Sequence, residues 1–121
     1  MYFKLKEHEY RFCFKHFIGQ DKLVDAEIDR FPRKQKQLPR GATVCRLEIR
    51  DGNDWCGIHH AIAYCNPTDT FSKEQGRKHA LAKLFKAGFI LDGNDLFTNK
   101  IFRRDVWQAF HSRSHTINLT N

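Results

Sequence analysis

No apolar run in the chain approaches the roughly 18–20 residues that a membrane-spanning helix needs. No Cys-x-x-Cys pair is present, so the commonest zinc-site spacing is missing. Neither a Walker nor a Rossmann glycine loop occurs, which excludes the two best-known phosphate cradles. Acid is also scarce: 14 Asp and Glu stand against 21 Lys and Arg, for a formal net charge of +7. Proline is rare, and two of the three lie in one short basic segment, "RFPRKQKQLPRG".

The length of 121 residues allows one domain spanning residues 1–121, and eleven phenylalanines can fill its core without disulfides. The mean hydropathy of −0.64 and the 29% of charged residues are those of a soluble protein. "MYFKLKEHEYRFCF" alternates polar and apolar residues without an apolar block, so no signal peptide is expected. The four cysteines, Cys13, Cys45, Cys56 and Cys65, then read as reduced thiols of a cytoplasmic protein. A basic balance of this size attracts phosphates: nucleic acid first, then nucleotides or an acidic protein.

Period two and aromatic enrichment predict a strand over "EYRFCFKHFIG", paired with "YFKLK" across His8. "KLVDAEIDRF" reads as a further strand, with a short helix as the alternative. The proline-bracketed basic segment is an exposed loop over residues 30–41. "ATVCRLEIRDGNDWCGIHHAIAYC" is a hairpin whose return strand sets Gly57, Ala61 and Ala63 on one side. Ser72 caps a helix with Gln75 completing the capping box, Ala80, Leu81, Leu84 and Phe85 form its apolar stripe, and Gly88 ends it. Thr98 caps a second helix through "NKIFRRDVWQAFHSR", and residues from about 113 to 121 form a frayed tail. The expected fold is α+β: an antiparallel sheet of four to five strands with two helices packed on one face.

Gly76 stands inside the first helix, where glycine costs about 1 kcal/mol relative to alanine. It falls on the buried stripe, which implies close approach to the small residues of the preceding strand. Arg77 lies at the edge of that stripe, beside a helix N-terminus that favours anions. There it can grip a phosphate, or it can pair with Asp69 as structural glue. Arg33, Lys34, Lys36 and Arg40 of the loop, with Ser72, Lys73, Arg77 and Lys78, form the candidate phosphate-binding set. Glu74 can partner Lys78 within the helix. As a group, Cys56, His59, His60 and Cys65 are a poor metal site, because adjacent histidines on a strand face opposite ways. Tyr10, Phe12 and Phe14 fit a core better than a base-stacking platform.

"CNPTDTFSKEQGRKHALAKLF" with the later "RRDVWQAF" resembles a group of small bacteriophage and mobile-element proteins. The shared pattern is Cys-x-Pro-x-Asp-x-Phe-Ser followed by Gly-Arg, matched by Cys65, Pro67, Asp69, Phe71, Ser72, Gly76, Arg77, Ala80 and Trp107. This resemblance covers residues 57 to 110 at most. It implies a regulator of an invader's genes or a counter to host defence, working in a host cytoplasm. The hairpin followed by "SKEQGRKHALAKL" is similar, more distantly, to the last half of a double-stranded-RNA-binding domain. Glu74 stands where that pattern has lysine, and no first helix precedes the hairpin.

The residues together point to a non-enzymatic nucleic-acid-binding protein without cofactor, catalytic residue or metal. Two other readings remain at this level. One is a module that holds a nucleotide at a helix N-terminus, and the other is an inhibitor that covers a nucleic-acid-binding surface on a host protein. A homo-oligomer is compatible with all three.

Overall fold

A computed structural model of the chain describes residues 1–18, 41–66 and 70–120. The fold is α+β. Strands β1 (Tyr2–Leu5), β2 (His8–Ile18), β3 (Gly41–Asp51) and β4 (Asp54–Tyr64) form one antiparallel sheet in that order. Helix α1 (Lys73–Ala87) follows, then the small pair β5 (Ile90–Leu91) and β6 (Asn94–Asp95), a single 3-10 turn at Leu96–Thr98, and helix α2 (Lys100–His111). The strand expected over "KLVDAEIDRF", most of the basic loop 30–41, and Pro67 and Asp69 lie outside the described residues.

The first hairpin turns at Lys6 and Glu7, both at positive φ, rather than at His8. Two left-handed residues match the twist of the flanking strands, and this sets Phe3 opposite Tyr10. Alternation then carries Phe3, Tyr10 and Phe12 into the core, so the aromatic run of β2 is core rather than a platform. Phe12, Phe85, Phe97 and Phe102 meet at ring centroid distances of 5.2 to 6.5 Å, in edge-on, tilted and stacked pairs. Phe85 comes from α1, Phe102 from α2 and Phe97 from the 3-10 turn, so this cluster ties three elements to β2.

One correction concerns β4. Leu47 pairs with His59 and Glu48 with Gly57, leaving Ile58 as a bulge. The extra residue reverses the alternation, so Gly57 falls on the opposite side from Ala61 and Ala63. The residue that Gly76 itself meets is Thr43 of β3. A Cβ built at Gly76 would overlap Thr43 Oγ1 and lie 3.1 Å from Thr43 Cβ. Close approach is therefore the reason for glycine here, against a different strand from the one expected.

Ser72 does cap α1, accepting from Gln75 N at 3.3 Å, and Gly88 closes it. The cap of α2 is Asn99 rather than Thr98: its side chain accepts from Ile101 N and Phe102 N. Asparagine at this place satisfies two free donors, while Thr98 is spent on the carbonyl of Asp95. Among the described residues the tail, expected to fray, is bonded to the rest of the fold as far as Thr120. Tyr2 N donates to His115 O and Ile117 N to Tyr2 O, which lays residues 115–117 along the free edge of β1. Ile117 is buried, and the buried Asp105 carboxylate accepts from Thr120 N at 2.7 Å. That backbone bond holds the Asp105 carboxyl below the usual carboxylate range.

The Gly76–Thr43 contact is directly testable. Gly76→Ala should destabilise by about 1–3 kcal/mol, although alanine is the better helix former. Thr43→Ala removes the obstructing hydroxyl, so in chemical denaturation the double variant should lose less than the sum of the two single changes. Strict additivity would show that the two residues do not touch.

Candidate functional site

Among the described residues, the side of the sheet away from the phenylalanine core gathers many charged side chains. Strand alternation places Lys4, Glu9, Arg11, Lys15, Arg46, Glu48 and Arg50 on it, with Tyr2 and Trp55 among them. Five cations thus face two carboxylates. Glu9 joins Arg50 at 2.8 Å and Lys4 at 3.7 Å across three strands. Arg50 also donates to Gly52 O, which fixes its guanidinium at both ends.

Glu48 is the organising group. It is 7% exposed, accepts from Arg11 Nε at 2.6 Å and from the Cys13 thiol at 3.2 Å, and stands 3.8 Å from Arg46 Nη2. Burial alone would raise its pKa, but the Cys13 and Arg11 hydrogen bonds and the charges of Arg11 and Arg46 bring it below the usual value. Burial and the bond to Glu48 push the Cys13 thiol up, so it stays a protonated donor. The Arg11 guanidinium lies 4.4 Å from the centroid of the Trp55 ring, and Tyr2 packs against the same ring at 5.8 Å.

Arg46 is different. Its guanidinium lies across Gly57, where a Cβ would overlap Nη2 and sit 3.2 Å from Cζ. Its side chain nevertheless remains 52% exposed. The planar guanidinium groups of Arg11 and Arg46 thus both lie beside the one buried carboxylate of Glu48. At the other end of the same side, buried Ala42 packs with Phe17, Val44, Ile62 and Tyr64 in a small apolar cluster.

The residues expected to bind phosphate are distributed differently. Arg33, Lys34, Lys36 and Arg40 lie outside the described residues. Ile18 and Gly41, which flank residues 19–40, are cross-strand partners, and Gly41 lies against Phe71 just before α1. Lys73 and Lys78 are exposed on α1. Ser72 lines a concavity of about 420 Å³ with Gln75, Gly76 and His79 on the β4 side of the helix. Arg77 lines another, between α1 and the end of α2. Ser72 and Arg77 thus line different concavities. Lys83 donates to Ile62 O on the edge of β4. Among the described residues Glu74 makes no ion pair with Lys78.

His16 donates to or accepts from Thr43 Oγ1 at 2.8 Å, beside the start of α1. Burial, then the Arg77 and Lys73 charges, hold its imidazole below the usual range, so it is neutral at pH 7. His59 stacks on Phe97 in the core, while His60 pairs with Arg46 on the charged side. Among the described residues no group of three His, Cys, Asp or Glu is placed to hold a metal ion. No helix among them is long and apolar enough to cross a membrane.

No family model, curated protein or solved structure matches this chain. Sequence reading passed over Arg11, Arg46, Arg50 and Trp55, although the alternation of Arg46, Glu48 and Arg50 in "CRLEIRD" was the signal that could have found them.

Glu48 links this site to stability. Its pKa is lower folded than unfolded, so its contribution is complete above the ordinary glutamate range and is lost as pH falls through the depressed value. Glu48→Gln should cost about 1–3 kcal/mol at pH 7. It should also flatten the fall in melting temperature expected of the native protein below about pH 4.5. An acid limb identical to that of the native protein would mean that Glu48 is not the group holding the arginines.

Proposed function

We propose that the protein binds nucleic acid without catalysing a reaction on it, and that the charged side of the sheet makes the contact. The observation that carries this reading is the Arg11–Glu48–Arg46 group over Trp55 and Gly57. A merely solvated charged surface needs no buried carboxylate to orient its guanidinium groups and no missing side chain to seat one of them. Lys4, Lys15 and Arg50 extend the positive field across β1, β2 and β3, in keeping with the net charge of +7. Exposed lysines on α1 add to the overall attraction. The basic residues of the 30–41 segment belong to the same reading as a second, electrostatic contribution.

The test is fluorescence anisotropy with labelled duplex and single-stranded oligonucleotides over a salt series. Arg46→Gln with Arg50→Gln should weaken binding about tenfold or more near 0.1 M salt and reduce the slope of log K against log salt by about 2. Lys100→Gln, at the exposed start of α2, is the control and should change little. Binding that ignores salt would point instead to a closed pocket for a small ligand. A double variant that binds as tightly as the native protein would remove the sheet from the interface.

A further inference from the structure

The cavity that Arg77 lines has a volume of about 460 Å³ and is bounded by β2, α1, the end of α2 and the segment after it. Part of its wall is aromatic. Phe14 and Phe110 meet edge to face at 6.2 Å, and His111 lies stacked on Trp107 at 5.8 Å. The rest is polar and mainly basic: Arg77, Arg113, His111 and His115, with Glu74 as the acidic side chain among the lining residues. Among the described residues neither the Arg77 nor the Arg113 guanidinium has an ion-pair partner.

Arg113 occupies a place where arginine is an unfavourable choice. Helix α2 ends with Arg113 N donating to Phe110 O and Ser114 N to Ala109 O, the paired bonds of a Schellman motif. The motif puts Arg113 at φ 57°, a left-handed position that glycine or asparagine fills at lower cost. An arginine kept at a strained position, on a residue that lines the cavity, points to a use for its guanidinium.

We propose that this cavity holds a nucleotide by its terminal phosphate, with Arg77 and Arg113 gripping the phosphomonoester and the aromatic wall receiving the base. The volume is within the range of small-ligand sites, roughly 300–1,000 Å³. A terminal phosphate carries close to two negative charges and three acceptor oxygens, a match for two unpaired forks. A backbone phosphodiester carries one charge and cannot enter a cavity end-on. The nucleotide is a free mononucleotide or the phosphorylated end of a strand; the second case rests on the nucleic-acid reading above.

The experiment compares AMP with one oligonucleotide sequence carrying a 5′-phosphate, a 3′-phosphate or hydroxyls at both ends. Native protein, Arg113→Gly and Arg77→Gln are titrated with each by calorimetry. A phosphorylated end should bind about tenfold more tightly than the hydroxyl-ended strand, or AMP should bind measurably by itself. Arg113→Gly should abolish that preference, or that binding, without altering affinity for the hydroxyl-ended strand. Glycine relieves the left-handed strain, so its melting temperature should equal or exceed the native value, and misfolding cannot account for the loss. Equal affinity for phosphorylated and hydroxyl ends, with no AMP binding, overturns the inference and leaves the sheet surface standing. So does a phosphate preference that survives in both variants. AMP binding that needs Arg113, in a protein that binds no strand, supports the cavity and overturns the nucleic-acid reading instead.

Discussion

The unpaired residue Ile58 governs how β4 can be used by the rest of the molecule. Before it, Trp55 and Gly57 face the charged side; after it, His59, Ala61 and Ala63 face the core. A strand of strict alternation could not have supplied both sets from these positions, because every second residue would keep to one side. Small Ala63 can then pack with Ala80, Leu81 and Leu84 of α1. Gly57 at the same time leaves room for Arg46, and Trp55 comes under Arg11. Packing on one side and charge display on the other therefore depend on one extra residue.

The sheet's two edges are managed by separate devices. Along β1 the backbone groups of Tyr2 bond to residues 115 and 117, so the segment after α2 closes that edge and is itself held by Asp105. Along β4 the bulge interrupts the regular ladder and Lys83 covers the carbonyl of Ile62. Both features discourage strand addition by another chain. They also direct attention away from edges as binding surfaces and towards the exposed side chains of the sheet and the cavity between the helices.

Glu48 shows how a charged surface can be both costly and useful. Taking a carboxylate out of water is unfavourable, and the hydrogen bonds from Cys13 and Arg11 with the charges of Arg11 and Arg46 offset that loss. Replacing the group by an apolar residue would be easier for stability alone. In return the guanidinium of Arg11 is held against Trp55 and that of Arg46 lies near Glu48 and over Gly57, which restricts both side chains. Arg46 and Arg50 nevertheless remain about half exposed.

Elements that depend on neighbours in the chain were legible in the sequence. Strand alternation in β2 and β3, the Ser72 cap, the apolar stripe of α1 and the need for close packing at Gly76 all follow from local spacing, because backbone period and capping chemistry act over a few residues. The overall charge, and its implied attraction for phosphates, is likewise a property of composition. The identity of Gly76's neighbour was not legible, since Thr43 is brought there by the register of β3. The reversal at Ile58 was not legible either: a bulge is decided by which pairing buries the better core. Arg77 and Arg113 are thirty-six positions apart and share a cavity only because α2 and the segment after it fold back beside β2 and α1. That juxtaposition, and the meeting of Arg11, Arg46 and Glu48 across two strands, belongs to tertiary structure, where contacts between distant segments are chosen by the packing of the whole.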